Sequence, residues 1–179
     1  MKKVLYLHGF ASAGSSGTAT QMRNHLYPMG VSVLSPDIPV SPLEAMRFLQ
    51  ETVEREAPAL IVATSMGALY AEQLRGTARI LVNPSFHMAR LLTFGGMKRQ
   101  EFQQVEKQSF QGITPEDREL VYGLFGTLDK RVNCQPEFRK HYGTAHFTLF
   151  EGEHFLNGQV LSHVVLPLVE EILVHSSNS

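Results

Sequence analysis

Several features typical of secreted, membrane-spanning and nucleic-acid-binding proteins are missing from this sequence. Its one cysteine, Cys134, cannot form an intramolecular disulfide, which fits a reducing compartment. The opening "MKKVLYLHGF" places two lysines before the apolar run "VLYL", which is too short for a signal peptide. No apolar run reaches the length of about 18 residues that a membrane span needs. With 16 basic and 17 acidic side chains, the net charge of −1 offers no attraction for nucleic acid or an anionic membrane. We therefore expect a cytoplasmic protein with neither partner.

Short apolar runs alternate with segments of helical spacing along a chain of 179 residues. The runs are continuous rather than alternating, which is typical of a parallel sheet covered on both faces. This alternation predicts one α/β domain over residues 1–179, with a doubly wound, mostly parallel six-stranded sheet. The predicted strands are 3–7, 31–35, 59–64, 79–82, 120–125 and 146–150, and the predicted helices between and after them are 18–29, 43–56, 66–75 and 160–174.

One stretch, residues 85–118, interrupts this alternation. It has no strand pattern and indicates two or three short helices, and so long a connection within a domain is usually functional or mobile. We expect it to form a cap over a site. Its apolar side chains either line an acyl pocket or pack against the main domain, and the sequence leaves both open: Met88, Leu91, Leu92, Phe94, Met97, Phe102 and Phe110.

The segment "IVATSMGALYAEQL" places Ser65 between a predicted strand and a predicted helix. A nucleophile at this corner needs a tight turn, which leaves room only for small residues two positions away, here Ala63 and Gly67. The N-terminal N–H groups of the next helix also favour developing negative charge. The alternative is that Ser65 merely caps the helix, which is a common role of serine.

Two further residues follow predicted strands in the order that a catalytic triad of this type requires. Asp129 in "LFGTLDKRVN" follows the fifth strand, and His154 in "LFEGEHFLN" follows the sixth. A serine hydroxyl becomes a good nucleophile when a histidine takes its proton and a carboxylate orients that histidine. The competing acids are Glu151 and Glu153, which flank His154, and Asp117, which lies at a predicted helix start.

An oxyanion hole would complete this site. One donor would be the backbone N–H of Met66, directly after the serine. The second should come from the loop after the first strand, "LHGFASAGSSGT", and we assign it to Phe10. His8, in the same loop, is more suited to holding the loop by hydrogen bonds than to acting as the base.

The chain resembles the α/β-hydrolase superfamily, and most closely the small bacterial YqiA-like esterases. The resemblance rests on "YLHGFASAGSS", "IVATSMGALYAEQL", "LVNPS", "GTLDKRV" and "FEGEHFL", which are spread over nearly the whole chain. It implies a compact core with strand order 2-1-3-4-5-6 and an ester or thioester hydrolase with Ser65, Asp129 and His154 as its triad. One departure is Ala63, where the family pattern has a glycine.

Other interpretations of the chemistry are weaker. The eight histidines include no pair at H-x-x-x-H or H-x-H spacing, so we expect no metal, and no nucleotide motif or other cofactor is indicated. We expect His141 and His146 to be structural or solvated, and Cys134 has no evident partner as a nucleophile. The tentative substrate contacts are His87, Leu91 and Met97.

Two other classes of function remain open. The chain could be a non-catalytic binding protein on the same fold, or an acyltransferase or C–C hydrolase.

Overall fold

The computed structural model describes residues 1–92 and 96–178, and its centre is a six-stranded sheet in which every pairing is parallel. The strand order is β2-β1-β3-β4-β5-β6, as expected. Each strand lies within two residues of the run that predicted it, so the fold prediction is confirmed. The strands are β1 Lys2–Leu7, β2 Val31–Leu34, β3 Leu60–Thr64, β4 Ala78–Val82, β5 Val121–Gly126 and β6 Phe147–Phe150.

Helices cover both faces of the sheet. They are α1 Gly17–Leu26, α2 Pro42–Glu56, α3 Met66–Glu72, α4 Met88–Leu91, α5 Met97–Glu106, α6 Pro115–Glu119, α7 Gln135–Tyr142, α8 Gly158–Val160 and α9 Leu166–His175. A π-helical segment, Leu161–Val165, joins α8 to α9. The Ser41 hydroxyl caps α2 by accepting from the Glu44 N–H, with Pro42 in the first turn, where its missing N–H costs nothing.

The sheet separates two hydrophobic cores, because successive side chains of a strand point to opposite faces. On β1, Leu5 and Leu7 belong to the core shared with α2 and α3. Val4 and Tyr6 belong to the other core, which contains side chains of α1 and α9. Burial on both faces explains why the strands read as continuous apolar runs. Within the described residues, no helix is long and apolar enough to cross a membrane.

The segment predicted as a cap has no strand among its described residues and contains α4, α5 and α6. Phe102 of α5 is buried in the core on the α2 side, and the Ser41 hydroxyl donates to Glu101 at 2.7 Å. Phe110 packs edge-on against Phe86. Phe94, which was considered for the pocket, lies outside the described residues.

A buried ionic network anchors the end of this segment. Arg79, fully buried on β4, donates to Asp117 of α6 at 2.6 Å. Glu72, fully buried at the end of α3, accepts from the Tyr142 hydroxyl and from the Phe110 N–H. A buried charge is tolerated only when its partners are present, so this network fixes how α6 and α7 sit against the sheet.

We expect Asp117→Asn to lower the free energy of unfolding by about 3 kcal/mol or more, because Arg79 would become a buried charge without its anion. Urea denaturation measures the change. The matched control is Glu116→Gln, which neutralises the exposed neighbouring carboxylate on the same helix. Equal effects of the two substitutions would contradict this account of the network.

Candidate active site

Ser65 lies on a strained turn between β3 and α3. Its backbone has φ 52° and ψ −116°, a conformation that residues with a Cβ rarely adopt. Its N–H donates to the Val82 carbonyl at 3.0 Å, and its carbonyl accepts from Ala68 and Ser85 at 3.1 and 3.0 Å. The hydroxyl makes no capping hydrogen bond to α3. The structure therefore gives no support to helix capping as the role of this serine.

Gly67 allows α3 to lie directly against the end of β1. A Cβ at this position would lie 2.4 Å from the Leu7 carbonyl oxygen and 2.7 Å from that of His8, so no larger residue fits without backbone movement. Ala63, two residues before Ser65, is completely buried in β3. The small residues on both sides of the serine are thus explained by packing at the turn.

His154 joins Ser65 to Asp129 in a chain of hydrogen bonds. Its Nε2 lies 2.9 Å from the Ser65 Oγ, and its Nδ1 lies 2.7 Å from the Asp129 Oδ2. The side chains of His154 and Asp129 are only 7% and 4% exposed. With Nδ1–H donating to the carboxylate, Nε2 can accept from the serine hydroxyl. The structure brings the three predicted residues together.

The second carboxylate oxygen of Asp129 also accepts hydrogen bonds. Its Oδ1 accepts from the backbone N–H groups of Arg131 and Val132 at 2.9 and 3.1 Å, which fixes the carboxylate in the loop after β5. The competing acids lie elsewhere. Glu151 and Glu153 are exposed, and Asp117 is paired with Arg79.

Asn83, directly after β4, holds the loop that carries His154, a role that the sequence motifs did not predict. Its Nδ2 donates to the carbonyls of Glu153 and His154, both at 3.0 Å. Its Oδ1 accepts from the Gly126 N–H at 2.7 Å. This buried amide therefore ties the ends of β4, β5 and β6 together. The available signals were its position directly after a buried strand and its place in "LVNPS", one of the stretches that carry the resemblance.

The loop after β1 lies beside the serine. The His8 Nδ1 lies 2.8 Å from the Gly9 carbonyl oxygen, and its Nε2 accepts from the Ile38 N–H at 3.0 Å, so this histidine holds the loop as expected. A Cβ built on Gly9 would lie 3.4 Å from the Ser65 Cβ. Phe10 follows at once and lines the cavity next to the serine, and Met66 is the first residue of α3.

A cavity of about 520 Å³ opens above Ser65, and its lining joins residues from both faces of the sheet. The apolar lining consists of Phe10, Met88, Leu91, Leu92, Val132, Phe155 and Leu156. The hydroxyl lining, which comes from β1, β3, α1 and the loop before α1, consists of Tyr6, Ser12, Thr18 and Thr64. Ser85 also lines the cavity, with its Oγ 3.4 Å from that of Ser65.

Of the three predicted substrate contacts, Leu91 lines this cavity, whereas His87 and Met97 are absent from its described lining. Neither assignment is supported by the described lining, and both stay predictions. The Nε2 of His87 lies 2.6 and 2.7 Å from the two carboxylate oxygens of Glu137 on α7, so the ring is engaged outside the cavity. Met97 begins α5 and is 76% exposed. Helical spacing alone did not reveal where α5 packs.

Cys134, His141 and His146 are each packed against other residues of the fold. Cys134 is buried, and burial raises the pKa of its thiol to about 11. His141 stacks on Phe110 and His146 on Tyr122, each with ring centroids 4.2 Å apart. Among the described residues, no three histidine, cysteine, aspartate or glutamate side chains are grouped to hold a metal ion.

Residues 3–118 match the model of the uncharacterised protein family UPF0227. The chain belongs to this family. Since the match covers more than half of the chain, the resemblance to the YqiA-like family is confirmed.

Solved structures with the same fold have low sequence identity to this chain. Est1E from Butyrivibrio proteoclasticus is 16% identical with a TM-score of 0.72, over 99% of this chain and 89% of its own. Mouse alpha/beta hydrolase domain-containing protein 10 is 12% identical with a TM-score of 0.73, over 97% and 90%. The thioesterase domain from the curacin biosynthetic pathway is 14% identical with a TM-score of 0.61, over 97% and 91%. These likenesses establish the α/β-hydrolase fold.

We expect Asn83→Ala to lower the free energy of unfolding by about 2–3 kcal/mol, because buried backbone groups of Gly126, Glu153 and His154 lose their partner. The exposed Asn133, whose Oδ1 accepts from the Gln135 N–H, provides the control Asn133→Ala. Chemical denaturation of both variants measures the difference. If Asn83→Ala lowered the free energy of unfolding no more than Asn133→Ala does, the role assigned to Asn83 would be contradicted.

We expect Cys134 to be unreactive toward thiol reagents in the folded protein. With a pKa of about 11, the thiol is protonated at pH 8, and its burial excludes the reagent. A colorimetric thiol assay at pH 8 should detect Cys134 only after denaturant is added. Rapid reaction of the native protein would show that this assignment is wrong.

Proposed function

We propose that this protein is a serine hydrolase that cleaves ester or thioester bonds of a small substrate. The observation that carries this proposal is the chain of hydrogen bonds from Ser65 through His154 to Asp129, which lies at the floor of a cavity. A serine serving only the fold would not need a strained backbone, a buried histidine at 2.9 Å and a doubly held carboxylate behind it. The similarity to a thioesterase domain supports the same chemistry.

The mechanism follows from the direction of these hydrogen bonds. The His154 Nε2 takes the proton of the Ser65 hydroxyl as the Oγ attacks the carbonyl carbon of the substrate. Asp129 accepts from Nδ1–H, which keeps the imidazole in the required tautomer and stabilises the imidazolium. The imidazolium then protonates the leaving oxygen or sulfur as its bond to the acyl carbon breaks. A water molecule then attacks the acyl carbon while His154 takes one of its protons. The bond between the acyl carbon and the Ser65 Oγ breaks, the imidazolium returns the proton to Oγ, and the carboxylic acid leaves.

The negative charge on the tetrahedral oxygen needs donors on the side away from His154. We assign this role to the backbone N–H groups of Phe10 and Met66. The close approach of the loop after β1 to Ser65 supports the first assignment, and the position of Met66 in the first turn of α3 supports the second. Each such donor is worth on the order of 100- to 1000-fold in rate.

The test is hydrolysis of p-nitrophenyl esters from acetate to palmitate. We expect turnover by the wild type, with short and medium chains preferred over palmitate because the cavity has a bounded apolar lining. Ser65→Ala should reduce kcat by at least about 10⁴-fold, because it removes the nucleophile.

The matched control is Ser85→Ala, which removes the neighbouring hydroxyl. This substitution should reduce kcat far less than Ser65→Ala does. Comparable losses in the two variants, or turnover that survives Ser65→Ala, would refute the serine mechanism proposed here. No turnover of any ester by the wild type would count against hydrolysis of simple esters.

A further inference from the structure

Arg131 brings a positive charge to a cavity that is otherwise lined by uncharged and histidine side chains. It follows β5 in "GTLDKRV", is exposed and lines the same cavity as Ser65. Its guanidinium lies over the ring of Phe155, which lines the cavity as well. Among the described residues of the lining, it is the only lysine or arginine, and no aspartate or glutamate lines the cavity. The substrate therefore meets one cation without a competing carboxylate on the wall.

The position of Arg131 is fixed by the same carboxylate that orients His154. Its backbone N–H donates to the Asp129 Oδ1 at 2.9 Å. Its guanidinium carbon lies 4.8 Å from the centre of the Phe155 ring, and Phe155 directly follows His154. The backbone of Arg131 is thus held by Asp129, and its side chain contacts the loop that carries His154.

The contact with Phe155 is an attraction between the positive charge and the ring. Within the described residues, the guanidinium donates no hydrogen bond to another side chain or to the backbone. Within the described part of the chain, Arg131 forms no ion pair with a carboxylate, although Arg55, Arg75 and Arg79 do. Its planar donors therefore remain available to a ligand, with a geometry that suits the paired oxygens of a carboxylate or phosphate.

We propose that Arg131, supported by Phe155, binds an anionic oxygen group, a carboxylate or a phosphate, on the substrate whose acyl bond Ser65 cleaves. This inference rests on the proposed function and narrows it to esters or thioesters that carry such a group. The apolar lining accommodates hydrocarbon, the hydroxyl lining accommodates polar atoms, and the guanidinium distinguishes a charged substrate from a neutral one of the same shape.

Paired substrates test the proposal. With the anion on the leaving group, para-butyryloxybenzoate and para-butyryloxyphenyl phosphate are each compared with the neutral methyl ester of the benzoate. With the anion on the acyl group, mono-p-nitrophenyl adipate is compared with p-nitrophenyl heptanoate. The measured quantity is the ratio of kcat/KM for the anionic ester to that for its neutral partner. The two anions on the leaving group distinguish carboxylate from phosphate.

We expect Arg131→Met to reduce this ratio about 10- to 100-fold for at least one pair, as loss of a charge-assisted hydrogen bond does. Arg131→Lys should give an intermediate ratio, because it keeps the charge and loses the planar fork. The matched control is Lys130→Met, which removes the adjacent exposed charge outside the described lining and should leave the ratio unchanged. An unchanged ratio for every pair in Arg131→Met, or equal effects at Lys130 and Arg131, would overturn the proposal.

A binding measurement separates this inference from the proposed hydrolysis. Calorimetric titration of Ser65→Ala with para-butyryloxybenzoate, with para-butyryloxyphenyl phosphate and with the neutral methyl ester needs no turnover. We expect at least one anion to bind at least tenfold more tightly than the neutral ester, and Arg131→Met in the same background should abolish that preference. If the wild type cleaves no ester but this preference is found, hydrolysis fails and the anion site stands. If no Arg131-dependent preference is found, the anion site fails whatever the esterase activity.

Discussion

The tight turn at Ser65 is the constraint on which the rest of the site depends. A residue with φ 52° and ψ −116° costs on the order of 1–3 kcal/mol, and it persists only because its surroundings hold it. Here the Ser65 N–H and carbonyl are tied to Val82 and Ser85, at and just beyond the end of β4, while Gly67 lets α3 touch the backbone at the end of β1. The turn therefore joins three strand ends and aims its side chain away from the sheet.

The other strand ends converge on the same place through polar contacts. The side-chain amide of Asn83 joins the end of β5 to the loop after β6, which holds the backbone that carries His154. One carboxylate oxygen of Asp129 accepts from the backbone of its own loop, and the other accepts from His154. His154, which faces the serine, is thus held by Asp129, and Asp129 is held by the backbone of its own loop. Such preorganisation is what electrostatic stabilisation of a transition state requires.

The fold could be predicted from the sequence because continuous apolar runs locate the strands, and parallel strands share one carboxyl edge. Ser65, Asp129 and His154 could be named as candidates because each stands in a short motif directly after a strand, in the order of a triad. Long-range partners leave no such pattern. Nothing in the sequence pairs Arg79 with Asp117 or Asn83 with the loop of His154. The same holds for His87 and Glu137, which lie 50 residues apart in the chain.

The central claim is that Ser65 is the nucleophile, and covalent labelling with a fluorophosphonate tests it most directly. The reagent phosphonylates a serine only when a neighbouring base activates its hydroxyl. Intact-mass measurement followed by peptide mapping should find one adduct per chain, located on Ser65 and absent when the protein is denatured first. An adduct on another residue such as Ser85, or none in the folded protein, would contradict the account.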